Sequence, residues 1–297
     1  MNHIKDQIRC GAAYRLGLTG KGIGVAVLDT GIFLHRDFDS RVTGFADMVN
    51  GKTFAYDDCG HGTHICGIIG GSGRMSGGRY SGIAPGCDLV MVKVLDRRGN
   101  GYSSDVLAGI SWILERKEKL GIRILNISVG ACSKRGMSEN SALVKGVNRA
   151  WDAGLVVVVA AGNNGPRTMS ITTPGISRKV ITVGCSDDDR EVLVGGNRMV
   201  DYSGRGPPAA CICKPDLVAP GCSVVSCAGR ADKYTIKSGT SMSTPIVSGA
   251  TALLLERYPD MTNKDVKLKL RESCTDIGLP RNQQGWGLLD VEKLVSK

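Results

Sequence analysis

The chain reads as an α/β protein in three layers, a mostly parallel central sheet with helices on both faces. Two observations predict this. Five runs rich in Val and Ile, at residues 25–28, 89–95, 122–129, 155–161 and 180–183, lack the polar alternation of a strand with one wet face, so they read as strands buried on both sides. Amphipathic segments lie between them, and strand, helix, strand in that rhythm implies parallel neighbours joined by crossover helices.

In chain order, GKGIG at residues 20–24 comes first. A phosphate-cradling glycine loop follows its strand and opens a helix. This one precedes the strand at 25–28, so it reads as a turn. HGTHICGII, residues 61–69, has the small and apolar residues of a buried helix that starts at His61. The strand at 89–95 leads to a helix over DVLAGISWILE (105–115), the strand at 122–129 to a helix over SALVKGVNRAW (141–151), and the strands at 155–161 and 180–183 follow. After Ser241, residues Val247, Ala250, Leu254 and Tyr258 mark one face of a further helix, with Pro245 tolerated as lying in about its first turn. Asp29, Ser128 and Asn163 all fall near predicted strand ends, the side of a parallel sheet where ligands sit.

Composition narrows the function classes. At 297 residues, 42% of them hydrophobic and 22% charged, the chain is long enough for one large core, and residues 1–297 read as a single domain. The net charge of +10 suggests a nucleic-acid partner, but the basic residues are scattered. The densest stretches, RKEK at 116–119 and KDVKLKLR at 264–271, mix them with acids or with apolar residues at helical spacing and read as solvated helix faces, so no nucleic-acid partner is expected. No stretch has the length of a membrane-spanning helix, and MNHIKDQIR at the start is too polar for a signal peptide. A cytoplasmic protein with no membrane partner is the expectation. Eleven cysteines, an odd count in a large chain, read as free thiols of a reducing compartment. Cys211 and Cys213 would supply half a metal site, yet no second Cys or His pair lies at ligand spacing, so no metal is assigned. Cys66 reads as a small buried hydrophobe and Cys59 as a thiol near His61.

Three distant segments carry the chemistry: VAVLDTG at 25–31, GHGTH at 60–64 and SGTSMSTP at 238–245. Each alone is ordinary, since an Asp can simply end a strand, a lone His is most often structural, and Gly-Thr-Ser is common in loops. Together they provide a carboxylate, an imidazole and a hydroxyl, the three groups that nucleophilic acyl transfer requires. In this order, and with AAGNNG at 160–165, NISVG at 126–130, KPDLVAPG at 214–221 and GWGL at 285–288, the chain resembles the subtilisin-like serine proteases over nearly its whole length.

The resemblance implies a subtilisin-like fold and an endopeptidase that passes through an acyl-enzyme, with protein or peptide as substrate and no cofactor required. Asp29 becomes the orienting carboxylate, His61 the base, Ser241 the nucleophile, and Asn163 the side-chain donor to the oxyanion, joined by the Ser241 backbone N–H at a helix start. The substrate would bind as an added strand between Ser128, Val129 and Gly130 on one side and Gly99, Asn100 and Gly101 on the other, with Ala160, Ala161 and Gly162 forming one wall of the specificity pocket. His64 and Ser243 read as packed neighbours of the site. Many relatives bind calcium through a loop after the His helix together with an Asp. Asp37 matches that Asp, but SGRMSGGRYSG at 72–82 has no carboxylate and two arginines, which argues against the site here. Asp29 lies close to Met1, so folding without a prodomain is expected. A narrow-specificity processing protease and a catalytically silent peptide binder remain as alternative readings, and nothing in the sequence sets the oligomeric state.

Overall fold

The computed structural model describes residues 1–130, 140–207 and 213–296. Its strands are β1 (Gly24–Asp29), β2 (Val42–Asp47), β3 (Asp88–Lys93), β4 (Ile122–Ile127), β5 (Val156–Ala160), β6 (Ile181–Cys185), β7 (Val192–Val194), β8 (Asn197–Met199), β9 (Leu217–Ala219), β10 (Val224–Cys227) and β11 (Tyr234–Lys237). Seven of them form one sheet in the order β2-β3-β1-β4-β5-β6-β9, and every pairing in it is parallel. β7 with β8 and β10 with β11 form two antiparallel pairs outside it.

The apolar runs become the inner strands because both faces are covered: β1 is buried at all six positions and β5 at all five. Full burial of a Val or Ile contributes about 1.5–3 kcal/mol, so these runs hold the centre of the sheet. Two runs extend past their strands. Val94 and Leu95 leave β3 and turn their N–H groups to the Asp29 carbonyl, at 2.9 and 3.3 Å. Ser128 and Val129 lie beyond the end of β4. Both tails therefore run into loops at the carboxyl edge of the sheet. The chain goes from β1 out to β2 and back to β3, then crosses to β4 on the other side of β1, so the strand order reverses around β1. Ligand crevices form at such a reversal.

The helices are α1 (Asn2–Gln7), α2 (Gly11–Arg15), α3 (His61–Gly70), α4 (Ser103–Arg116), α5 (Ala142–Asp152), α6 (Thr240–Arg257), α7 (Asn263–Ser273), α8 (Arg281–Gln284) and α9 (Val291–Val295). α3 and α6 pack together on one face of the sheet, α4 and α5 on the other. α5 begins where Ser141 caps it, its hydroxyl accepting from Val144 N–H, and it buries the stripe Val144, Val147, Ala150 and Trp151.

α6 differs from the reading of a helix with a single apolar face. It is buried all round, from Thr240 through Met242 to Leu255 with only Ser241 partly open, and Tyr258 lies just past its end. Most of its polar side chains are satisfied: Thr244 and Thr251 hydroxyls donate to the Thr240 and Val247 carbonyls, both at 2.8 Å, and Ser248 donates to Asn126 Oδ1 on β4 at 2.8 Å, with Ser243 the exception among the described residues. Pro245 stands in the second turn, not the first, so the Ser241 carbonyl loses its helical N–H partner. Among the described residues no helix is long and apolar enough to cross a membrane.

Candidate active site

β1 ends at Asp29 and α3 begins at His61, and packing of α3 against the end of β1 brings the two together. A Cβ on Gly62 would lie 2.2 Å from the Gly31 carbonyl oxygen and 3.2 Å from Asp29 Cβ, so only glycine allows this approach. His61 Nδ1 donates to Asp29 Oδ1 at 2.7 Å, and the same oxygen accepts the Thr30 N–H at 2.8 Å. Asp29 is fully buried while the imidazole is 22% exposed, so one ring nitrogen is held and the other is left to face a reactant. Burial pulls the His61 pKa down, but the Asp29 charge and hydrogen bond outweigh it and leave the pKa raised, with Lys237 acting weakly against them.

Residues not singled out from the sequence fix this pair. Asp57 accepts from Thr63 N–H and Oγ1 at 2.9 and 2.6 Å, from Thr30 Oγ1 at 2.9 Å, and from Gly60 N–H at 2.7 Å, which ties the first turn of α3 to the end of β1. Beneath it the fully buried Lys93 gives its three protons to Thr30 O, Leu95 O and Asp58 Oδ1, at 2.6, 2.7 and 2.8 Å. These partners are far apart in the chain, and no local motif announces them.

Ser241 is the second residue of α6. Its Oγ donates to the Ser128 carbonyl at 2.8 Å, and among the described residues no hydrogen bond joins it to His61. Asn163 follows the end of β5 and is oriented by Thr240, whose N–H and Oγ1 both donate to Asn163 Oδ1 at 3.0 Å. The oxygen of the amide is thereby fixed toward Thr240, which leaves Nδ2 as the outward donor. The Ser241 N–H has no acceptor among the described residues. Two N–H donors therefore flank the nucleophile, as stabilisation of a tetrahedral oxyanion requires.

The expected substrate edges meet across one cavity of about 230 Å³, lined by Gly99, Asn100 and Gly101 on one side, Val129 and Gly130 on the other, and Val106 and Leu143 among its apolar residues. Ser128, between Ile127 and Val129 of its wall, is itself not among the lining residues; it is bonded to Ser241 and, through Oγ, to Asn126 at 2.9 Å. Ala160 and Ala161 are buried in the sheet region, and neither they nor Gly162 lines this cavity. Thr172 instead fills the space between the two predicted segments: a Cβ on Gly130 would lie 2.2 Å from its Oγ1, and one on Gly162 2.4 Å from its Cγ2.

His64 lies one turn into α3 with its ring fully buried, and its Nε2 lies 3.1 Å from Val224 O and 3.2 Å from Thr235 O. Burial, helped by the charges of Lys237 and His61, lowers its pKa to about 3, so it is a neutral packing residue. Ser243 is buried too, and its hydroxyl has no partner among the described residues. Of the paired cysteines, Cys211 lies outside the described residues. Cys10, Cys59, Cys66, Cys87, Cys185, Cys222, Cys227 and Cys274 are free thiols. Cys66 is fully buried and Cys59 exposed.

The calcium question turns on Asp37. Its carboxylate accepts Met75 N–H at 2.9 Å, Tyr234 O–H at 2.7 Å and the Cys227 thiol at 3.7 Å. Protein donors thus surround it where a calcium ion needs six to eight oxygen ligands, and these residues do not fit one. The buried group Cys185, Asp187 and Cys222 is likewise closed on itself, with the Tyr202 hydroxyl 3.2 and 3.1 Å from the two sulfurs.

Comparison with known proteins agrees with this geometry. The model of the subtilase family matches residues 20–287. The chain is 42% identical over 292 residues to serine protease AprX of Bacillus subtilis (strain 168), covering 93% of this chain and 65% of that protein. It is 36% identical over 268 residues to a thermostable alkaline protease of Halalkalibacterium halodurans, covering 90% and 66%. It thus spans just under two thirds of these two relatives. Against subtilisin BL of Lederbergia lenta it is 34% identical over 287 residues, covering 97% and 96%. Among solved structures, sphericase superposes with a TM-score of 0.79 at 30% identity over 92% of this chain and 93% of that one. A cold-adapted subtilisin-like serine proteinase gives 0.75 at 29% over 92% and 90%. With the family model matching residues 20–287 and these relatives aligned over 90% or more of this chain, the chain belongs to the subtilase family.

Proposed function

We propose that this protein is a serine endopeptidase that works through Asp29, His61 and Ser241. The observation that carries the reading is the 2.7 Å contact between buried Asp29 and His61 Nδ1, which holds the imidazole in the tautomer that leaves Nε2 as a base. A peptide that lies along residues 128–130 as an added strand offers an N–H to the Ser128 carbonyl. It thereby displaces the Ser241 hydroxyl, which turns to His61. Ser241 Oγ then attacks the scissile carbonyl while His61 takes its proton, and Asp29 stabilises the imidazolium. The developing oxyanion is held by Asn163 Nδ2 and the Ser241 N–H, and His61 gives its proton to the leaving amine. Water resolves the acyl-enzyme by the same roles reversed.

One observation favours the silent binder: Ser241 rests on Ser128, not on His61. Single substitutions separate the two readings. The predicted losses are those known for subtilisin itself: Ser241→Ala lowers kcat on the order of 10⁶-fold, and Asn163→Ala lowers it by about 10² to 10³ with little change in KM. Peptide turnover that survives Ser241→Ala in a folded, uncontaminated protein rules the mechanism out. We propose further that no calcium is needed at Asp37, since the donors around its carboxylate supply what a cation would.

A further inference from the structure

A second cavity, about 890 Å³, has the residues just before His61 in its wall and shares no lining residue with the cleft at Gly99 and Gly130. Its walls are residues 57–60, which run directly into His61, and residues 228–237, which end shortly before Ser241. His61 therefore follows one wall of this cavity and Ser241 the other, while Ser128, which holds the Ser241 hydroxyl, leads into Val129 and Gly130 of the first.

The charges of the second cavity are unbalanced. Asp57 is occupied by the Thr30, Thr63 and Gly60 donors already described, and Asp58 pairs with buried Lys93 at 2.8 Å. Nearby Asp232 pairs with Arg36 at 3.0 Å. Arg230, Lys233 and Lys237 also line the cavity, and no carboxylate among the described residues pairs with any of them. Arg230 and Lys233 are exposed and Lys237 is half-buried. Lys237 lines the same cavity as Gly60, the residue before His61, and its charge works to lower the pKa of both His61 and His64.

We propose that this cavity receives the part of the substrate that follows the cleaved bond, and that Lys237, Arg230 and Lys233 select acidic side chains there. The inference rests on the endopeptidase reading above. In that mechanism the acyl part lies along residues 128–130 and the leaving amine departs past His61, toward the second cavity. Free cations in a concave wall raise the local concentration of anions and pair with them on binding. Each such pair near a surface is individually small, so three acting together set the scale.

The test uses fluorogenic peptides that share one mixture of residues before the bond and differ in the first three after it, acidic in one set and the matching amides in the other. The wild-type protein is expected to show kcat/KM about five- to tenfold higher for the acidic set at low salt. This preference should shrink in 0.5 M salt as screening sets in. In Arg230→Gln/Lys233→Gln/Lys237→Gln it should fall to within about twofold, and Lys237→Glu, a single change that guards against misfolding of the triple variant, should turn it toward the amides. Equal turnover of the two sets by the wild type, or a preference that survives both variants, overturns the proposal while leaving the endopeptidase intact. Absence of any Ser241-dependent cleavage overturns the endopeptidase reading, and this inference with it.

Discussion

Asp29, His61 and Ser241 were legible as residues because each sits in a short segment whose neighbours are part of its job. The groups that hold them were not. Thr240 orients Asn163 across 77 positions of sequence, and Asp57 joins Thr30 across 27, so the pairing exists only once the sheet has formed. Thr172, between Gly130 and Gly162, belongs to the same class, and nothing in its local sequence marks it.

The His61 environment makes a pH prediction. Its pKa is raised above the ordinary 6.5, and the base must be neutral to act, so kcat/KM falls as pH drops through a value above 6.5. Asp29→Asn removes the two larger contributions that raise it and leaves only the smaller Asp57 charge against burial and Lys237, which lower it. The acid limb should then move to lower pH, with activity reduced on the order of 10⁴-fold, the scale known for triads that lose this carboxylate. A pH profile whose limb does not move in that variant contradicts the assignment of Asp29. The shift also has a sign for stability. A raised pKa favours the fold while His61 is charged, so this contribution is complete below the unfolded value and lost as pH rises through the folded one.

Among the elements, the strands read best where burial is two-sided. β1, β3, β4, β5 and β6 appear as apolar runs broken only by single polar residues such as Lys93, Arg123 and Asn126, and their ends differ because Val94, Leu95 and Val129 stay apolar after leaving the sheet, Leu95 and Val129 to line the cleft and Val94 in the core. β2 was missed since it lies at the sheet edge with most of its residues half-exposed, and β9 because three residues carry too little pattern. The single-faced reading of α6 failed for a related reason: its Ser and Thr residues look solvated in sequence, but they are buried, and the hydroxyls of Thr244, Ser248 and Thr251 are paired inside the core.

The junction of β1 and α3 gives the prediction at this scale. Within a helix, Gly→Ala ordinarily adds about 0.5–1 kcal/mol of stability. At Gly62 the new methyl meets the Gly31 carbonyl at 2.2 Å, backbone that has no rotamer to yield, so α3 must move away from Asp29. Gly62→Ala should lower the melting temperature and reduce kcat by at least about tenfold, since displacement of a catalytic group by about 1 Å has large effects. Gly11→Ala in α2, whose methyl would have only an ordinary 3.6 Å contact with Arg15, is the control and should leave kcat unchanged and the melting temperature unchanged or slightly raised. Full activity in Gly62→Ala would show that the close approach is not required.

For the molecule as a whole, one parallel sheet aligns Asp29, Ser128 and Asn163 along its carboxyl edge, and two helices on one face bring His61 and Ser241 to meet them. The donors around Asp37 lead to the expectation that EDTA and added calcium leave the melting temperature and peptidase activity nearly unchanged. A cation bound at 100 times its Kd would add about 2.7 kcal/mol, which a melting curve detects. A shift of that size, abolished by Asp37→Asn, would show that the Tyr234 and Met75 contacts give way to a metal.

The central claim is that Ser241 is a nucleophile made reactive by His61 and Asp29, although its hydroxyl rests on the Ser128 carbonyl. The most direct measurement is labelling with a serine-directed fluorophosphonate, followed by mass mapping of the modified peptide. The account predicts stoichiometric modification at Ser241 alone, lost in His61→Ala and slowed by a competing peptide substrate. An unmodified Ser241 in folded protein, or a label on another residue, would contradict it.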